Sequence, residues 1–292
     1  MKVVWILSVF VIGLSLVTTS TGLLSRSGSG PHFFMNQFGE QVLMDGYGVY
    51  ANDSLFMASI SRGTDFGMLL VCIPALAIAL YLDFRKRTVR HHLVLLSMLS
   101  VFLYYGASIS LGLAYNYLHL VYTSLFSAAF FAFVAGIVQL QLEFPYLTHG
   151  RLSHPGVNIY LILTSVALFV AWLPDILTSL VNKKSLELIE IYTTQITYVI
   201  DMGIIAPAAF VTYWLLNRRS WYGYVFAPIL LIMSAAIGII VLCQTLFQIG
   251  AGIDLPFVAW ITKVSIFVLM AGFAIYLVVP FVGGLGSREV QS

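Results

Sequence analysis

The sequence predicts an all-α fold, a polytopic transmembrane helical bundle of about eight spans with both termini cytoplasmic. Three observations predict it. Of 292 residues, 60% are hydrophobic and only 9% are charged, against roughly 25% charged in ordinary soluble domains, so a water-soluble globule could not cover itself with this composition. Eight apolar stretches approach the roughly 20 residues that a spanning helix needs, once Gly, Pro and charge clusters are read as punctuation. The basic residues collect in short clusters beside those stretches, where they act as topology signals.

The first stretch, Val3 to Leu24, follows Lys2 and runs into Thr18, Thr19, Ser20 and Thr21, a pattern that also suits a secretory signal peptide. Its apolar run is longer than a typical signal core, which favours an uncleaved helix; cleavage would leave seven spans and an outside N-terminus. Residues 25–65 form the longest polar segment, with Gly28, Gly30, Gly39, Gly46 and Gly48 among Phe33, Phe34, Tyr47 and Tyr50. About 40 residues make a poor independent core, so this segment reads as an extracytoplasmic cap lying on the bundle. Asn52, Asp53 and Ser54 match the Asn-X-Ser acceptor pattern, a short and common motif.

Further spans are expected near Phe66 to Leu82, Leu93 to Tyr115, Leu120 to Leu142 and Val157 to Leu173. Residues 174–193 then form an outer interfacial segment in which Leu186, Leu188, Ile189 and Tyr192 alternate with Glu187 and Glu190. That pattern suits a short amphipathic helix or a plain loop. The last spans are expected near Thr194 to Leu216, Tyr224 to Ile249 and Phe257 to Val282. No internal repeat or low-complexity tract divides the chain, so residues 1–292 read as a single membrane domain.

Orientation follows from Lys and Arg. If eight spans alternate, Lys2, Arg85, Lys86, Arg87, Arg90, Arg151, Arg218, Arg219 and Arg288 share one side, while only Arg26, Arg62, Lys183 and Lys184 fall on the other. The positive-inside rule makes the first side cytoplasmic, and the expected location is the cell's inner membrane.

The same residues exclude several classes of function. A net charge of +2, without a basic stripe, gives no surface for nucleic acid. Cys72 and Cys243 fall within spans and make no metal-ligand spacing. His32, His91, His92, His119, His149 and His154 are expected in loops, whereas a haem held between membrane helices needs ligands at depth. HExxH and GxSxG motifs are absent. A lysine in the last span resembles the retinal-binding rhodopsins, but where those of the microbial kind carry an Asp one turn earlier this chain has Ala259, and the span from Leu120 to Leu142 has no acid to match their counter-ion. The sequence therefore calls for no cofactor and no metal, and an enzyme is the less favoured reading.

What remains is a layer of polar groups in the outer third of the membrane. Asp201 and Lys263 each lie about seven residues below the same outer surface, and an unpaired charge in hydrocarbon costs roughly 2.5 to 3.5 kcal/mol even on lenient scales. Matching depth suggests that they pair. Thr194, Thr197 and Tyr198 share the face of Asp201, and Pro207 favours a kink just below it. Gln244 and Gln248 share another face, and Asp65, Tyr115 and Asn116 stand at the outer ends of two spans. These eight residues, Asp65, Tyr115, Asn116, Tyr198, Asp201, Gln244, Gln248 and Lys263, form the candidate ligand-binding set.

Several strings also carry a resemblance: Arg62-Gly63-Thr64-Asp65, Ala114-Tyr115-Asn116, Trp172-Leu173-Pro174-Asp175, the run from Tyr192 through Asp201 to Pro207, and Gln244 to Gln248. From about Glu40 onward the chain resembles a group of prokaryotic multi-span membrane proteins with no established activity. The resemblance implies a shared helical bundle and transfers no functional residue.

The expected function is an integral membrane protein with an outward-facing polar pocket for a small solute or a lipid-like ligand, or one that supports a membrane complex. The bland alternative is an Asp201–Lys263 pair that only fixes helix packing. The competing functional class is a secondary transporter, which lacks both an inverted repeat and polar stations in the inner half. Expected partners are the lipid bilayer, a small molecule from the outer side and other membrane subunits, the last suggested by the small-residue face of Gly106, Ser110 and Ala114.

Overall fold

The computed structural model describes residues 2–149, 154–186, 188–254, 257 and 260–287. Arg151, Glu187, Pro256, Ala259 and Arg288 lie outside the described residues. Among those described, eight helices are long and apolar enough to cross a membrane: α1 (Lys2–Leu24), α2 (Leu55–Lys86), α3 (Val89–Gly112), α4 (His119–Glu143), α5 (Pro155–Asn182), α6 (Ile196–Asn217), α7 (Trp221–Gly250) and α8 (Trp260–Gly284). The chain is a multi-pass integral membrane protein of the all-α class.

The two most buried helices, α3 and α7, form the axis of the bundle. Around it, α1 packs on α4 and α2, α3 packs on α4, and α8 packs on α7 and α5; α7 also touches α2, α3 and α6. In a bilayer apolar faces gain nothing by leaving lipid, so close contact depends on small residues. The buried stripe of α1 shows this: Val4, Ser8, Val11, Ser15, Thr18, Thr19 and Gly22 face inward, while Val3, Ile6, Val9 and Phe10 are exposed. Two hydroxyls of that stripe bond to their own helix, Ser8 to Val4 O and Thr19 to Ser15 O, each at 2.8 Å. A tight helix crossing near the site is at Gly63, where a Cβ would lie 2.4 Å from Cα of Gln244. Gly106, flagged for its size, is packed inside the bundle, 2.9 Å from Cα of Phe126 by the same measure.

Two boundaries differ from expectation. α2 begins at Leu55, capped by Ser54, whose Oγ accepts from the Met57 N–H at 3.1 Å, so residues 55–65 of the expected cap belong to a spanning helix. Arg62 and Asp65 kept this stretch out of the apolar count, although both charges are satisfied inside the protein. α5 runs through Pro174 to Asn182, which moves Asp175 from the expected outer loop into the helix. Of the two readings of the outer segment, the described residues between Ser185 and Gln195 follow the plain loop, in turns, bends and irregular chain. The histidine reading also needs correction: His91, His92 and His119 lie in helices, and His92 is buried between Asp83 (3.4 Å) and the carbonyl of Gly136 (3.3 Å).

The cap carries an antiparallel hairpin, β1 (His32–Met35) and β2 (Gln41–Met44), with His32 opposite Met44 and Met35 opposite Gln41. It is tied to the bundle by a bidentate ion pair from Arg62 to Asp45, both contacts 2.7 Å, the geometry that suits a guanidinium and a carboxylate. At the opposite, basic end a second short pair, β3 (Leu147–His149) with β4 (Leu285–Ser287), is fixed to α3 by Arg90, whose Nε donates to the Leu285 carbonyl at 2.8 Å. Cys72 and Cys243 are both free thiols.

Candidate functional site

The cap-side half of the bundle encloses a cavity of about 300 Å³. It extends from mid-helix residues such as Val101 and Ile237 to Leu188 and Gln195 in the loop between α5 and α6. Most of its wall is apolar, and the charged groups that line it, Asp201 and Lys263, lie on α6 and α8.

Two interrupted helices place those groups. In α6, residues Asp201–Ile205 form a π-turn, and the Ala206 N–H reaches back five residues to Asp201 O. Pro207 follows and offers no N–H of its own to the helix ladder, so the wide turn takes up the mismatch that a proline forces on a helix. The same device recurs in α2, where the π-turn Met68–Cys72 precedes Pro74. Lys263 lies in a third π-turn, Trp260–Ser265, at the start of α8. Single π-turns often mark functional positions because they swing one side chain out of helical register.

Asp201 is only 2% exposed. Its Oδ1 accepts from the Tyr104 hydroxyl at 3.0 Å and its Oδ2 from the Trp172 indole N–H at 2.9 Å. Trp172 stacks on Tyr198 with centroids 4.5 Å apart. The Tyr198 hydroxyl in turn donates to Asp175 at 2.7 Å, and Lys263 Nζ donates to the same oxygen at 2.6 Å while lying 5.8 Å from the Trp172 ring centre. The expected Asp201–Lys263 pair is therefore replaced by two separate arrangements, Lys263 with Asp175, and Asp201 with two neutral donors. The sequence missed the partner because α5 continues seven residues past Asp175 to Asn182, which puts that acid within a spanning helix and in reach of the lysine.

Five of the eight expected residues line the cavity: Tyr198, Asp201, Gln244, Gln248 and Lys263. Gln244 Nε2 donates to Thr64 Oγ1 at 2.8 Å, joining α7 to α2 across the wall. The other three lie elsewhere. Asp65 is fully buried behind the wall, accepting from the Tyr50 hydroxyl at 2.5 Å and the Tyr105 hydroxyl at 2.7 Å. It leaves no room on α1, where a Cβ on Gly22 would lie 1.8 Å from its Oδ2. Tyr115 is 77% exposed and ring-packed on His119. Asn116 shapes the α3–α4 turn, its Oδ1 accepting from the Leu118 N–H at 2.9 Å.

Sequence reasoning missed Trp172, Asp175, Tyr104 and Thr64. The Trp172-Leu173-Pro174-Asp175 string held the signal for the first two, but Pro174 reads as a helix end when it is only an interruption. Tyr104 gave no signal separable from an ordinary membrane aromatic.

The loop above the cavity is latched to the cap. Asp53 Oδ1 accepts from the Tyr192 hydroxyl and the Ala114 N–H, both at 2.8 Å, and the Ser54 hydroxyl donates to Glu190. Asn36 Nδ2 donates to the Glu190 carbonyl at 2.8 Å. Burial pushes the Asp53 carboxyl up to about 7 against the opposing effect of its two donors, and burial also raises Glu190. A smaller void of about 30 Å³ adjoins Asp201 on the side away from the loop and is edged by Thr164 and Ser234. It has room for one or two waters.

Among the described residues no group of three His, Cys, Asp or Glu side chains is arranged to hold a metal. Comparison of the chain with protein-family models, curated proteins and solved structures gave no match.

Proposed function

We propose that this membrane protein binds a small amphipathic molecule in the cap-side cavity, and that the cap faces the outside of the cell's inner membrane. The observation that carries the reading is the cavity itself. A void of about 300 Å³ reaches the lower end of the range for ligand sites, and it has the usual make-up of such sites, an apolar wall with a few convergent polar groups. A bundle whose buried charges served only for packing would gain more by filling that volume. The void continuing from Asp201 toward the basic end measures only about 30 Å³, which supports a dead-ended binding site over a through passage. Orientation rests on the excess of Lys and Arg at the end opposite the cap.

The test is an unbiased inventory, by mass spectrometry, of small molecules that co-purify with the wild-type protein and with Asp201→Asn and Lys263→Met. At least one compound is expected with wild type and depleted several-fold from at least one of the two variants. Identical inventories from three folded proteins would remove the binding reading and leave a structural subunit.

A further inference from the structure

The charges around the cavity do not balance. Asp201 and Lys263 line it, Asp175 stands behind Lys263, and Asp65 stands behind Tyr105. Lys263 is taken by Asp175 at 2.6 Å, and Arg62, the cation near Asp65, is taken by Asp45 at 2.7 Å, so neither is left to neutralise Asp201. Among the described residues no Lys, Arg or His nitrogen lies within ion-pair distance of Asp201. Its two oxygens both accept, one from Tyr104 and one from Trp172. A carboxylate has about four lone-pair positions, so room for a further donor or a contact cation remains. In low dielectric a carboxylate without a counter-ion is expensive, and such groups are usually paired.

The wall supplies what a counter-ion with an apolar body would need. Phe56, Tyr104, Tyr105, Trp172, Tyr198 and Phe267 all line the cavity, and aromatic faces attract cations through the ring quadrupole. One such contact is already made, by Lys263 Nζ on Trp172.

Resting on the binding reading above, we propose that the occupant is a small organic cation, a protonated amine or quaternary ammonium on an apolar body, whose charge is held at Asp201 within the aromatic wall. Lys263 is a spectator to that charge, because Asp175 satisfies it. The acidic site and its aromatic lining reject anions of the same size.

The test uses full-length protein in lipid nanodiscs, with empty nanodiscs subtracted, and three probes: benzyltrimethylammonium, its neutral isostere neopentylbenzene, and the anion benzenesulfonate. Wild type is expected to bind the cation at least tenfold more tightly than the isostere and to show no binding of the anion. Asp201→Asn is expected to weaken the cation at least tenfold and leave the isostere unchanged, with Asp201→Glu restoring much of the preference. Equal affinity for cation and isostere overturns the inference while leaving a binding cavity in place, and preference for the anion overturns it in favour of Lys263. Binding of none of the three overturns it too, and the co-purification inventory then decides the binding reading alone. If Asp201→Asn fails to fold, the wild-type ratio of cation to isostere still decides.

Discussion

At the scale of the residue, three carboxylates, Asp65 and Asp201 buried and Asp175 partly exposed, solve the same problem differently. Asp175 uses a lysine, Asp65 uses two tyrosines, and Asp201 uses a tyrosine and an indole. Asp53, in the cap, has an N–H and a phenol on one oxygen, while its Oδ2 is buried without a partner. A carboxyl whose ordinary value is near 3.8 and which burial raises to about 7 keeps its proton in the folded protein over a range where the unfolded chain has released it. Stability therefore falls as pH rises from about 4 to about 7 and levels off above, by roughly 4 kcal/mol at most. Thermal unfolding in detergent should give a higher Tm at pH 5 than at pH 8, and Asp53→Asn should flatten that difference. A wild-type Tm that rises over the same interval would contradict the assignment. Glu190, raised in the same direction, contributes with the same sign.

At the scale of the element, the cavity depends on how closely α2 and α7 approach. Gly63 admits the α7 backbone so closely that a methyl group would lie 2.4 Å from Cα of Gln244 and 2.7 Å from the Cys243 carbonyl. Since those atoms belong to a helix, they can yield only by moving the helix. Gly63→Ala is expected to cost about 1 to 3 kcal/mol, to break the 2.8 Å contact between Gln244 and Thr64, and to lower Tm. Gly203 is the control: it sits within the π-turn of α6, and nothing lies within 4 Å of where its Cβ would be. Gly203→Ala should change Tm little. Equal losses from both substitutions would contradict the crossing as the source of the cost, because helix propensity alone favours alanine at either position.

At the scale of the whole molecule, the order of eight spans was legible because each one is long, apolar and bounded by Gly, Pro or charge. Their ends were less so. Arg62 and Asp65 look like the start of a loop to any count of hydropathy, yet one is paired with Asp45 and the other with two tyrosines, so α2 carries them inside. Pro174 looks like a stop, yet α5 continues past it. The polar layer was visible as a depth, which brought five residues to the cavity. Partnership was not visible, since depth along separate helices says nothing about rotation around them. Orientation can be tested directly: in a Cys72→Ser, Cys243→Ser background, a cysteine at Lys183 should react with an impermeant maleimide added to whole cells, and one at Arg218 only after permeabilisation. The reverse pattern would invert the proposed topology.

The loop that joins α5 to α6 has two neighbours at once. Leu188 and Gln195 roof the cavity from below, while Glu190 and Tyr192 are clasped from above by Asn36, Ser54 and Asp53. One short loop therefore bonds the cap on one side and closes the cavity on the other, so a substitution in the cap at Asn36, Asp53 or Ser54 bears on the shape of the interior.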